Sequence, residues 1–277
     1  MIWSLNARPM PGIQFKTNRP VMIFPYDGIA LEASWNEYLM GNDRFVADTR
    51  LHYKYLKLIY TSPREDIALK FGFHHAAQWA GDSPTNGSQP NNFKSYIKMF
   101  FGGGFANQLG MYEFSFQRSL KDNWDLNLTY NYMFETLQGG QLSNLPDGRY
   151  SVFLDSRTDR RLVNGVLYEF YYTRNQNILA NSNFQNEDYF NHAIYQSGWT
   201  NQRRIIGLPF FDYDEKQDAV IGNKFVAHHI GLSGQFFNYF ETYPYQLLLS
   251  YIYKDGRHGT YYTPSREVFA GMFSLGI

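Results

Sequence analysis

Apolar and polar residues alternate along much of this chain. The longest run is Trp124–Phe134, where Trp124, Leu126, Leu128, Tyr130, Tyr132 and Phe134 fall on one side and Asp125, Asn127, Thr129, Asn131 and Met133 on the other. Period-two alternation over that length predicts a strand with two unlike faces. The pattern recurs at residues 29–36, 67–73, 112–117, 165–172, 246–253 and 267–277. Strands of about ten residues exceed the roughly 5–6 usual in globular domains and match the roughly 9–11 needed to cross a bilayer at a tilt. Many segments start or stop on Tyr, Phe or Trp, as aromatic girdles require, and the opposite face is polar with few charges. The pattern predicts an all-β fold, an antiparallel transmembrane β-barrel of the outer-membrane type. About 11–12 long strands can be counted. Leu126, Leu128, Tyr130, Leu247 and Leu249 are expected to face lipid, and Asn127, Thr129 and Ser250 the interior. A large soluble sandwich is the bland alternative; no repeat of the propeller kind is visible.

Loops of unequal length separate the segments. Residues 81–92, 137–148, 174–191 and 209–223 are long and polar, whereas residues 62–65 and 121–123 are tight turns. Short turns at one end and long loops at the other is the outer-membrane arrangement. Phe93 to Phe101 predicts one amphipathic turn or short helix beside Gly102, Gly103 and Gly104. No linker divides the chain, so residues 1–277 read as a single β-barrel domain.

Composition narrows the classes. Aromatic residues make up 19% of the chain and charged residues 18%, against roughly 25% charged in an average soluble domain. The 25 basic and 25 acidic residues cancel, so the basic excess of a nucleic-acid binder is missing. With no cysteine, disulfide scaffolds, Cys-ligated metals and Cys nucleophiles are excluded. The longest stretch without a formal charge, residues 225–240, is too short for a spanning helix. The first twelve residues have no apolar core and are interrupted by Arg8 and Pro9, unlike a secretory signal. Together with the barrel pattern, this gives the expectation that the native protein sits in a Gram-negative outer membrane, with its signal peptide not present in this sequence.

Candidate chemistry is sparse. His74 and His75 are adjacent, as are His228 and His229, and neighbours on a strand point to opposite faces, so neither pair chelates one metal. The expected role of these His residues is to line a polar lumen, bonded to Tyr or carboxylate. The glycine triplet lacks the Lys-Ser/Thr of a phosphate loop, and no G-x-S-x-G is present. No catalytic residue, metal site or cofactor is assigned. Two clusters combine an aromatic face with dense hydrogen-bonding groups: residues 73–81 and residues 189–204. A Trp face stacks on a sugar ring, amides and His bond its hydroxyls, and Arg pairs with carboxylates. His75, Gln78, Trp79, Tyr195, Trp199 and Arg203 are therefore the candidate glycan-binding residues, with Arg204 beside them. The bland reading makes Trp79 and Trp199 girdle residues.

The segments FHHAAQWAGDSP, NNFKSYIKMFFG, LPDGRYSVFLD, LVNGVLYEFYYT, DYFNHAIYQSGWT, RRIIGLPFF and KFVAHHIGLSG, in that order, resemble the Wzi-like capsule-assembly family in its Bacteroidetes-type branch. The stretch from Arg8-Pro9-Met10-Pro11 to Asn18-Arg19-Pro20 is similar too, and the resemblance runs from about Arg8 to Tyr253. It implies an outer-membrane barrel, of eighteen strands in better-known members, that holds capsular polysaccharide as a lectin without catalysis. It also implies that this chain is part of such a barrel, lacking N-terminal material. The first reading is thus a non-enzymatic barrel that binds or anchors surface capsular polysaccharide. Its partners are that glycan and outer-membrane lipid, with no nucleic acid. The alternative is a passive porin or glycan transport channel, favoured by an open, charge-ringed lumen. A third is an outer-membrane hydrolase, which needs a Ser or Asp within hydrogen-bond reach of a His at the rim.

Overall fold

Twelve strands form one sheet: β1 (Gly12–Lys16), β2 (Val21–Phe24), β3 (Ile29–Leu39), β4 (Arg50–Thr61), β5 (Ile67–Trp79), β6 (Asn107–Ser119), β7 (Trp124–Phe134), β8 (Gly148–Ser156), β9 (Gly165–Tyr172), β10 (Lys224–Phe237), β11 (Thr242–Arg257) and β12 (Thr260–Leu275). The computed structural model describes residues 9–158, 161–178, 186–237 and 241–276. Every neighbouring pair is antiparallel. From β3 to β12 the strands follow chain order; β1 and β2 share the free edge of β3. Among the described residues β12 pairs only with β11, so the sheet is open. Helix is only 7% of the structure against 58% strand, as the alternation requires.

Register carries the alternation from strand to strand. Leu58, Phe71, Phe114, Tyr130, Tyr150 and Phe170 are successive cross-strand partners, and the row continues through His228, Tyr251 and Phe269. The next row holds Tyr60, Leu69, Phe116, Leu128, Val152 and Tyr168, then Ile230 and Leu249. Stacked pairs such as Tyr130–Tyr150, with ring centroids 4.6 Å apart, bind these rows together. This apolar band is exposed, whereas the opposite face carries a polar ladder. There Lys57 donates to Glu113 at 3.0 Å, His74 lies 3.2 Å from Glu113, and Arg149 donates to Asn131 and Glu169. Gly72 sits between Lys57 and Glu113, where a Cβ would approach either side chain to 3.3 Å. Each His pair splits as expected. His74 is bonded to Tyr53 on the ladder face and His75 to Gln108 on the other; His229 meets Ser250 inside and His228 meets Tyr168 outside.

The polar face is concave, because residues 186–223 pack against it at the long-loop end. Tyr189, Phe190, Trp199, Leu208 and Phe211 form one core cluster with Leu51 of β4, Leu109 of β6, Met133 of β7 and Ile252 of β11. Gln78 of β5 donates to the Gly198 carbonyl at 2.8 Å, and Lys254 of β11 pairs with Asp212. Along a flat sheet, β5 and β11 would be about 29 Å apart at roughly 4.8 Å per strand. Yet Gly198 abuts Val220, which pairs with Tyr213 next to Asp212. The sheet therefore curls around this segment, which plugs the concave side. Arg44, from the β3–β4 loop, pins the plug by donating to the Thr200 carbonyl at 2.8 Å.

Gly198 is the tightest point of the plug. Its φ is +58°, and a Cβ would lie 2.2 Å from the Phe190 carbonyl oxygen. Gly198→Ala should loosen the plug by at least about 1–2 kcal/mol. Limited proteolysis within residues 186–223 should accelerate about 5–30-fold, with strand content unchanged by circular dichroism; an unaltered cleavage rate would contradict the packing.

Candidate functional site

A cleft of about 1140 Å³ opens at the long-loop end, on the outward face of the sheet. Its floor is Lys54 of β4, Phe73 and His75 of β5, Gln108 and Tyr112 of β6, and Phe134 of β7. These project from the same side as the apolar band, since they continue its period of two. Gly110 leaves room for the Phe134 ring, which a Cβ would meet at 2.3 Å.

One wall is the end of a short helix, α1 (Phe93–Phe100), with the glycine run after it. Asn92 caps α1 by accepting the Ser95 N–H at 3.0 Å. The helix lies on the outside of the sheet. Trp35 donates its indole N–H to Tyr96 at 2.8 Å, and the Tyr96 ring packs on Trp79 and His52 with centroids 5.2 and 5.8 Å apart. The Lys54 ammonium sits 3.2 Å from the centre of the Phe100 ring and also donates to the Phe100 carbonyl. Beneath it, His52 and Glu37 are joined at 2.6 Å.

The other wall is residues 135–141 together with residues 186–193, where the plug segment crosses the rim. A carboxylate bracket fixes the crossing. Glu187 accepts the Glu135 N–H at 2.6 Å, the Thr136 N–H at 3.0 Å and the Thr136 hydroxyl at 2.7 Å. Glu135 in turn accepts the Phe190 N–H at 2.8 Å. Gly139 allows this approach, because a Cβ there would lie 2.0 Å from Glu187. Asp147 accepts from the Asn175 and Gln176 N–H groups and the Tyr189 hydroxyl. Asp188 bridges Asn191, Asn223 and Arg257. Burial pushes the carboxyl groups of Glu135 and Glu187 up, Glu135 well above the ordinary range, and Asp147 up to about 6. The cleft's polar lining is mostly amide: Gln138 and Gln141, with Asn186 bonded to His258 and Asn191 to Asp188, beside His192.

The candidates read from sequence all lie at this end, in different settings. His75 lines the cleft, with its Nε2 3.0 Å from Gln108. Trp79 and Tyr195 meet across a separate hollow of about 120 Å³. Trp79 is buried between Arg50, whose guanidinium lies 5.3 Å from its ring, and Tyr96, and it donates to Glu37 at 3.3 Å. Tyr195 is buried and donates to the Ala80 carbonyl. Gln78 is wholly buried, held between Gly198 and Asn107. Trp199 is buried in the plug core, and Arg203 is exposed on the tip of the small hairpin of Thr200–Asn201 with Arg204–Ile205. Residues 135–141 and 186–193 supply most of the cleft's polar groups. Their signal in the sequence was a run of Gln, Asn and Glu flanking Gly139, Gly140 and Tyr189-Phe190.

An all-β antiparallel sheet curled around an inserted loop is the architecture of a barrel wall. The fold is similar to the solved structure of Wzi of Escherichia coli, an outer membrane protein involved in group 1 capsule assembly and a carbohydrate-binding β-barrel, with TM-score 0.53 and 14% identity. The match covers 99% of this chain and 63% of that one, so the chain spans under two thirds of its neighbour's length. At that identity the likeness is one of fold. No protein-family profile and no curated protein matches the sequence.

The bracket gives the plug a pH dependence. Asp147 has a folded pKa of about 6 against an ordinary 3.8. A carboxyl whose pKa is raised by folding contributes its stability in full below the unfolded value, and loses it as pH rises through the folded value. Glu135 and Glu187 act in the same sense. The backbone amides of Asn175, Gln176 and Phe190 should therefore show greater hydrogen-exchange protection at pH 5 than at pH 8, after correction for intrinsic rates. Stronger protection at pH 8 would contradict the assignment.

Proposed function

We propose that this chain is an outer-membrane barrel protein of the Wzi-like kind, in the branch its sequence resembles, that binds surface capsular polysaccharide without altering it chemically. The observation that carries this reading is the fold, which matches a carbohydrate-binding outer-membrane barrel over 99% of this chain. Three features support it. The band of Leu58, Phe71, Leu128 and their row partners suits lipid, which supports strands that cross a Gram-negative outer membrane with the long loops outside. The cleft offers what a sugar needs: aromatic rings at Tyr112, Phe134 and Phe101, with amides around them. Its two most perturbed carboxyls, Glu135 and Glu187, are engaged with backbone N–H groups across the rim, so they serve as brackets and not as an acid–base pair.

The plug opposes the channel reading, since it covers the concave face at the long-loop end. In this proposal His75 and the cleft amides touch the glycan. Gln78, Trp79, Tyr195 and Trp199 support the cleft from beneath, and Arg203 meets acidic sugars at the hairpin tip.

Two outcomes are expected. Leu128→Arg should cost about 2–4 kcal/mol if the residue lies near the bilayer midplane, read by urea titration of the protein folded into liposomes. Thr129→Arg, on the ladder face, should cost much less; equal costs would remove the lipid assignment. Purified capsular polysaccharide should bind the full chain in surface plasmon resonance. Gln138→Ala combined with Gln141→Ala should weaken binding about tenfold, the loss of two hydrogen bonds of about 0.5–1.5 kcal/mol each. Trp199→Ala should reduce capsule retention by loosening the plug, and Trp199→Phe should restore it. Undiminished binding by both the glutamine double variant and Trp199→Ala would move the site elsewhere.

A further inference from the structure

The cleft lies on the outside of the wall. Its floor residues Phe73 and Tyr112 belong to the same face as Phe71 and Phe114, and the rings touch in sequence: Phe73–Tyr112 at 5.9 Å, Tyr112–Phe71 at 6.3 Å and Phe71–Phe114 at 5.2 Å between centroids. Directly beyond them a second hollow of about 730 Å³ runs along the apolar band, between Leu58, Leu69, Phe116, Leu128, Tyr150 and Val152. A polar cleft and an apolar groove thus lie end to end on one face of β4–β8, joined by this row of touching rings. A ligand made only of sugar would use the first and leave the second to bulk membrane lipid. A sugar head carrying acyl chains would use both.

We infer that the cleft and groove together form one amphiphile site, which takes a glycolipid of the outer leaflet with its sugar head among the cleft amides and an acyl chain along the groove. This rests on the carbohydrate-binding reading of the same cleft and narrows its ligand to a lipid-linked one. The placement of α1 fits it. Phe93, Ile97 and Phe101 are exposed and follow one another at i, i+4 and i+8, a continuous apolar stripe on the helix. Lys94 and Lys98 lie beside that stripe, also exposed. An amphipathic helix with an apolar stripe flanked by Lys lies in the plane of a membrane interface. This sets the cleft at headgroup depth, where a lipid's sugars are found and a free polymer's are not.

The test uses the full chain in a detergent without a sugar head. Its probes are rough-type lipopolysaccharide and the core oligosaccharide released from it by mild acid, which lacks the acyl chains. Native mass spectrometry should show one lipopolysaccharide retained per chain, at a concentration at least tenfold below that needed for the oligosaccharide. Gln138→Ala combined with Gln141→Ala should weaken both arms. Phe71→Ser combined with Phe114→Ser should remove the tenfold advantage and leave oligosaccharide binding unchanged. Leu128→Ser is the milder groove variant, and heat-shifted gel mobility checks that each variant is folded. Equal binding of the two probes would overturn the inference while leaving the carbohydrate site standing. Lipopolysaccharide retention that ignores the amide and groove variants alike would mark partitioning into micelles and overturn it too. If neither probe binds but capsular polysaccharide does, the ligand is not lipid-linked and the inference falls. If none of the three binds, the carbohydrate-binding reading fails with it.

Discussion

A slip of one residue between any two neighbouring strands would send Leu128 inward and Thr129 outward, and the slip would propagate to every strand beyond it. Backbone pairing in strict register is the constraint on which the other features rest. Because the register holds from β3 to β12 apart from bulges between Lys224 and Phe225 and between Lys254 and Gly256, the apolar rows and the polar ladder remain separate across the sheet. The ladder gives the plug a polar, hydrogen-bonding surface below and an apolar one at the rim, where Ala76, Leu109 and Met133 replace charged neighbours. The outward face, by the same phase, supplies both the band and the floor of the cleft.

The plug solves a problem that the curled sheet creates. A segment of irregular backbone packed against a wall must find partners for its N–H and C=O groups. Here side chains supply them, Glu135 for Phe190 and Gln78 and Arg44 for Gly198 and Thr200, while Asp147 does the same for Asn175 and Gln176 and Glu187 for Glu135 and Thr136 in the adjoining loops. The carboxylates that would attract notice as chemistry are mostly occupied as architecture. Their elevated pKa values follow from the burial that this role requires.

The strands were legible in the sequence because alternation is a local signal, visible within ten residues. Trp124–Phe134 is a strand over the residues where the alternation lies. The short helix was legible too, since Phe93, Tyr96, Ile97 and Phe100 share a 3.6-residue period and Asn92 is a good cap. The split of each His pair followed from strand geometry alone. What could not be read was long-range. Residues 186–223 look like polar loops, and only Tyr189-Phe190 and Phe210-Phe211 hint that they carry a core. The aromatic–polar clusters at residues 73–81 and 189–204 come to one end of the sheet. No local signal distinguishes a Trp that stacks on a sugar from one that packs on Tyr96 or Leu208. The cleft is assembled from β4–β7, the end of α1 and two loops, and its shape exists only after the sheet has curled.

The rim bracket has a mechanical meaning. In the proposed role, a polymer or a lipid-linked glycan held in the cleft would pull on residues 135–141 and 186–193, and through Glu187 that tension would enter the end of β7 at Glu135 and Thr136. It arrives along the strand axis. β7 is flanked on both sides by antiparallel ladders, to β6 and to β8, so the load is shared by many backbone hydrogen bonds stretched in parallel. The same force applied across an edge would break them one after another. Drag on such a glycan would thereby be resisted in shear, the direction in which a sheet is strongest, with the small carboxylate knot at the rim as the tether point.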